Sequence, residues 1–144
     1  MTLKINNDIL TQLHTHLEST YPEEGAGFLL GTANGNSRHV TGLLPIENAR
    51  EDAARHNRFL FTARDMARAE DDADARDLTL LGIFHSHPDC PNVPSDFDRE
   101  WAQPWFSYTI SRVDEGKAVS IRSWRLNDDR TTYFEEEIEV IGNL

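Results

Sequence analysis

The sequence predicts one α/β domain over residues 1–144, a mixed β-sheet flanked by about three helices. Three observations carry this prediction. Two segments repeat apolar residues at helical spacing, and Ser95 opens a third, shorter helix. Short apolar or alternating runs are bounded by Gly, Asn, Asp and Pro, as strands are. A chain of 144 residues also matches a prior of about 150 per domain, with no repeat, linker or low-complexity stretch to divide it.

Taken in order, Ile9, Leu10, Leu13 and Leu17 place an amphipathic helix at residues 8–19, with Asn7 or Asp8 available as its cap and Tyr21-Pro22 as its end. Residues 27–31 read as a buried strand closed by a turn, residues 39–46 as the returning strand, and 58–61 as a further short one. Thr62 caps a helix running to about Asp77, whose modest apolar face is Met66, Ala69 and Ala73. The acidic run at 70–74 reads as a solvated face of that helix, not as a metal site. Residues 78–85 form an apolar run that fits a central strand. A Pro-rich loop follows, from Pro88 to Pro94, before the helix start at Ser95. Strands at 108–111, 119–126 and 131–138 complete the set, separated by turns at 114–116 and 127–129.

Composition narrows the function classes. The 14 Lys and Arg against 25 Asp and Glu give a formal charge of −11. Such a surface repels polyanions, so neither nucleic acid nor an anionic membrane is expected as a partner. Lys4 and Lys117 are the only lysines, a bias that fits a salt-adapted or a GC-rich source equally well. No apolar run approaches the ~18 residues of a membrane span. The N-terminal residues lack the basic and apolar regions of a signal peptide, so a cytoplasmic location is expected. The single cysteine, Cys90, excludes an intrachain disulfide and a Cys-rich zinc site.

The chemistry concentrates in the histidines. His14 and His16 form one His-x-His pair and His85 and His87 another. Residues two apart diverge on a helix and share a face on a strand. His14 and His16 therefore read as surface helix histidines, whereas His85 and His87, at a strand end, can converge on one metal. Asp98 follows eleven residues after His87, across a loop stiffened by Pro88, Pro91 and Pro94. Two histidines and one carboxylate leave a tetrahedral zinc one open position, the pattern of a hydrolytic site. Ser95 and Asp98 also have capping-box spacing, and both roles are compatible, because a capped helix start would fix the ligand's orientation.

His-Ser-His-Pro at 85–88, six residues, then Ser95-x-x-Asp98 resembles the motif of the JAMM (MPN-plus) zinc metalloproteases. The upstream stretch Pro22-Glu23-Glu24-Gly25-Ala26-Gly27-Phe28-Leu29-Leu30-Gly31 is similar to that family's glutamate motif, with Glu24 at the glutamate position. Residues 105–111 and 121–125 resemble the strands that close the family's sheet, so the similarity covers essentially the whole chain.

The resemblance implies a JAMM/MPN, cytidine-deaminase-like fold with a mixed, curved central sheet. It implies one Zn2+ per chain held by His85, His87 and Asp98, with water in the fourth position. Glu24 would be the general base, and Ser95 would donate to the oxyanion of the tetrahedral intermediate. The implied reaction is hydrolysis of the peptide or isopeptide bond after the Gly-Gly tail of a ubiquitin-like or sulfur-carrier β-grasp protein. Glycines suit such a tail because they let an extended backbone approach the metal.

The chain departs from the family at Ala26, where a cysteine is common, and it lacks room for long substrate-gripping insertions. Cys90 reads as a lone loop thiol, with a fourth ligand or a redox switch as alternatives. Phe97, Trp101 and Trp105 line a groove or form ordinary core. Two other functions compete: a non-catalytic MPN-type scaffold, which the intact set of five residues opposes, and a peptidase for a non-ubiquitin-like peptide. A nucleobase deaminase would need His-x-Glu and Pro-Cys-x-x-Cys, which one cysteine cannot supply.

Overall fold

The computed structural model describes residues 1–46 and 62–142. In chain order the elements are β1 (Thr2–Asn6), α1 (Asn7–Thr20), β2 (Ala26–Asn34), β3 (Ser37–Ile46), α2 (Ala63–Ala75), β4 (Thr79–Pro88), α3 (Asp96–Trp101), β5 (Ser107–Asp114), β6 (Lys117–Leu126) and β7 (Tyr133–Ile141). The expected mixed sheet and three helices are present among the described residues, with boundaries moved by a few residues; the expected strand at 58–61 lies outside them. None of these helices is long and apolar enough to cross a membrane.

The strands hydrogen-bond in the order β1-β3-β2-β4-β5-β6-β7, and β1 returns to β7, so the sheet closes. β1 is an element that sequence periodicity misses. It offers only Leu3 and Ile5 as inward residues, both essentially buried, and runs parallel to β3 on one side and β7 on the other. Its partners are supplied by distant parts of the chain.

The chain turns where its residues permit it. Glu115 and Gly116 both have positive φ, 49° and 86°, which gives the two-residue β5–β6 hairpin the primed turn that matches strand twist.

Two cores hold the layers. Ile9, Leu13 and Leu17 recur along one face of α1 and pack against side chains from all seven strands, among them Leu3, Leu29, Val40, Phe84, Val113, Ile121 and Ile138. Ala69 and Ala73 of α2 pack with Phe28, Leu30, Leu44, Leu80 and Ile83 on the second face. Small alanines let α2 approach the sheet closely. Burying one large side chain such as Phe28 or Phe84 contributes about 1.5–3 kcal/mol, so α1 and α2 clamp β2 and β4 firmly. β4 carries His85 and His87, and β2 begins two residues after Glu24.

Candidate metal centre

His85 lies where β4 is paired on both sides, opposite Ala26 of β2 and Ile110 of β5. His87 stands two residues on, opposite Arg112. Strand alternation sends both imidazoles to one face, with Nε2 atoms 3.3 Å apart and ring centroids 5.1 Å apart.

Asp98 arrives from the first turn of α3. Ser95 caps that helix: its hydroxyl oxygen accepts the Asp98 N–H at 3.1 Å, while Asp98 Oδ2 accepts the Ser95 N–H at 2.9 Å. This reciprocal box aims the carboxylate back at β4. Asp98 Oδ1 is 3.4 Å from His85 Nε2, and Oδ2 is 3.4 Å from His87 Nε2.

The donor set and its spacing fit a metal ion. Bonds of ~2.0–2.1 Å around a tetrahedral zinc put neighbouring ligand atoms ~3.3–3.4 Å apart. The two Nε2 atoms meet that spacing with each other, and each meets it with a different oxygen of the Asp98 carboxylate. One ligand atom from each residue lies within 4.8 Å of the others, and the three side chains are largely buried. The next shell is also in place. His87 Nδ1 lies 2.8 Å from the Pro91 carbonyl, an acceptor only, so the proton sits on Nδ1 and the Nε2 lone pair faces the cluster. The loop between the ligands rests on the β5–β6 hairpin: Asp89 N–H donates to Val113 O at 2.8 Å, and Trp124 Nε1 donates to Asn92 O at 3.1 Å. Asn92 Nδ2 donates to Ser120 Oγ at 3.0 Å.

Charge follows geometry. Burial lowers the pKa of His85 and outweighs the opposing pull of Asp98, so this imidazole is held neutral. At His87 burial also acts downward, but hydrogen bonds to Asp98 and to the Pro91 carbonyl and the charges of Asp98 and Glu24 carry the pKa above its ordinary value. Burial would raise Asp98; attraction to His85, hydrogen bonds from both histidines and the Ser95 N–H hold it well below the carboxylate range. A neutral imidazole and an ionised carboxylate are the forms that bind metal.

Glu24 sits between α1 and β2, is 9% exposed, and its charge contributes to raising the pKa of His87. Ser95 is at the rim. Cys90 is exposed in the loop between the ligands and forms no disulfide.

Two expectations need correction. His14 and His16 diverge, as helical spacing requires, but they are half-buried and not on the surface. His14 Nε2 is 3.2 Å from Ser111 Oγ, and His16 Nε2 is 3.2 Å from the Ala26 carbonyl. Trp105 stacks on the Arg38 guanidinium at 4.1 Å, just before β5 begins. Arg38 bonds Ser107 and the Leu81 carbonyl, early in β5 and β4, away from the end of β4 that bears the histidines.

Fold and site together define an α/β protein with a buried two-histidine, one-carboxylate cluster able to hold a metal ion. The chain belongs to the family of prokaryotic homologs of the JAB domain, which matches residues 6–127. It is 27% identical over 118 residues to a probable TtuB-protein conjugate cleaving protease of Thermus thermophilus, covering 82% of this chain and 75% of that one. It is 32% identical over 82 residues to a desampylase of Pyrococcus furiosus, covering 57% and 54%. Among solved structures, a protein from Desulfitobacterium hafniense matches with a TM-score of 0.85 and 28% identity over 99% of this chain and 94% of that one. A JAB1/MPN domain protein from Archaeoglobus fulgidus shares the fold, with a TM-score of 0.59 and 18% identity over 96% and 98%.

Sequence reasoning missed the side chains that steady this site. Ser86 stands inside the His-Ser-His-Pro motif but has no role assigned there, though the alternation of β4 sets it apart from the two histidines; the Tyr21–Asp89 pair carries no motif.

Proposed function

We propose that the chain is a single-domain, cytoplasmic zinc metallopeptidase that binds one Zn2+ through His85, His87 and Asp98. It hydrolyses the peptide or isopeptide bond after the Gly-Gly tail of a ubiquitin-like or sulfur-carrier protein. The observation that carries this reading is the convergence of His85, His87 and Asp98, whose ligand atoms lie within 4.8 Å of one another. Membership of the JAB family and the names of two relatives, one for cleaving TtuB–protein conjugates and one as a desampylase, support the substrate class.

A bound zinc supplies a Lewis acid that polarises a carbonyl and brings the pKa of water to about 7. The chain's own groups do the rest. Glu24 takes the proton of the attacking water and delivers it to the leaving amine, a contribution of about 10²–10⁴ in rate. Its partial burial keeps competing water away from that transfer. The Ser95 hydroxyl keeps its own proton while accepting from the Asp98 N–H, so it can donate to the developing oxyanion. His85 and Asp98 are already in their metal-binding forms, neutral and ionised, while His87 binds once its proton has left.

The test is metal content and cleavage on the same samples. Wild type should carry about one zinc per chain and cut a carrier–Gly-Gly–reporter fusion after the second glycine. Glu24→Gln should keep the zinc and lose about 10²–10⁴ in kcat. A wild type that stays metal-free when zinc is added would overturn the hydrolase reading and leave a scaffold. Zinc-loaded protein that cuts unrelated peptides as fast as the fusion would overturn the substrate assignment.

A further inference from the structure

The segment bearing Glu24 is fastened at both ends to the strand and loop that bear the ligands. At one end, Gly25 N–H donates to Ser86 Oγ at 2.9 Å and Ser86 N–H donates to Gly25 O at 3.1 Å. Ser86 is fully buried and, by strand alternation, leaves β4 on the side opposite the two imidazoles. A side chain at position 25 would collide with Thr20, so the glycine lets the segment lie flush against the end of α1. At the other end, the Tyr21 hydroxyl donates to Asp89 Oδ2 at 2.7 Å. Asp89 is itself anchored: its Oδ1 accepts the Glu115 N–H at 2.9 Å, and its own N–H donates to Val113 O at 2.8 Å. Glu24 thus lies between two fixed points, Tyr21 and Gly25, whose partners Asp89 and Ser86 bracket His87.

We propose that Ser86 and the Tyr21–Asp89 pair are positioning residues that set Glu24 against the His85–His87–Asp98 cluster. The proposal rests on Glu24 being the general base. Glu24 belongs to neither a helix nor a strand, so its place is not fixed by a backbone ladder of its own. A base must sit within hydrogen-bond reach, ~2.6–3.2 Å, of the proton it takes, and a displacement of about 1 Å can cost ~10²-fold in rate. Two anchors on either side of the ligand strand supply that tolerance without involving the metal ligands' own side chains.

The experiment compares Ser86→Ala, Ser86→Thr and Tyr21→Phe by two readouts. In zinc-free protein, amide exchange at Gly25 should quicken about tenfold or more in Ser86→Ala, while Phe28 and Leu29 in the core exchange as in wild type. In zinc-loaded protein, kcat on the Gly-Gly fusion should fall ~10–100-fold with KM and zinc per chain unchanged. Ser86→Thr, which retains the hydroxyl, should recover most of both. Tyr21→Phe, which keeps the ring against the core and removes only the hydroxyl, should show the same pattern more weakly, with faster exchange at Glu23 and Glu24. Unchanged exchange and kcat in Ser86→Ala and Tyr21→Phe would overturn the proposal, as would loss of zinc in step with kcat. Failure of the underlying reading looks different: Glu24→Gln would then keep wild-type kcat whatever the exchange data say.

Discussion

The capping box at Thr62 and Asp65 and the one at Ser95 and Asp98 have the same internal geometry. In each, the hydroxyl oxygen accepts the aspartate N–H at 3.1 Å and aspartate Oδ2 accepts the cap N–H at 2.9 Å. Thr62 faces solvent and its box ends there, with Asp65 only half-buried. Asp98 is 4% exposed because the end of β4 stands opposite it with two imidazoles. The same four-residue chemistry starts a helix in one place and also presents a ligand in the other. What separates them is the neighbour, which a local motif does not encode.

The largest expected effect breaks the comparison outright. Asp98→Ala should weaken zinc binding by well over the ~10–100-fold seen for lost outer-shell partners and abolish cleavage, whereas Asp65→Ala should leave zinc content and kcat unchanged. Metal analysis and turnover on the two variants decide it; equal zinc in both would refute Asp98 as a ligand. The hydroxyls give a finer cut. Gly is nearly as good a cap as Ser or Thr, so Ser95→Gly and Thr62→Gly should each cost only a few tenths of a kcal/mol. Ser95→Gly should nonetheless lower kcat about 10²–10³-fold if its hydroxyl serves the oxyanion. Thr62→Gly should lower kcat not at all.

The pH dependence is smaller and has a definite sign. The pKa of His87 lies above its ordinary value in the metal-free chain, so below that pKa a proton must leave before zinc binds. Apparent zinc affinity should therefore rise about tenfold per pH unit up to the His87 pKa and flatten above it, as titration at several pH values would read. Affinity that does not change across this window would mean that His87 binds no metal. The smallest effect belongs to the plain cap: Thr62→Ala should cost about 1 kcal/mol of stability in denaturant unfolding, with zinc affinity unmoved.

Much of this was legible in the residues. The α1 periodicity at Ile9, Leu13 and Leu17, the Thr62 and Ser95 helix starts, and the strands around the Glu115–Gly116 turn are local features, and each formed where its pattern put it. The divergence of His14 and His16 and the convergence of His85 and His87 followed from the 3.6- and 2-residue periods alone. Less legible was burial. His14 and His16 are half-buried because Ser111 and the Ala26 carbonyl come to meet them from other strands.

The sequence by itself determined most of the elements other than β1, the candidate ligand residue types at their spacing and the stiff Pro-rich loop between them, because each depends on interactions a few residues long. Tertiary structure alone decided the closing of the sheet by β1 against β7, the choice of which capping aspartate meets two histidines, and the anchoring of Glu24 through Ser86 and Asp89. Those contacts join residues tens of positions apart. Their energy appears only once the two cores around α1 and α2 have brought the strands together.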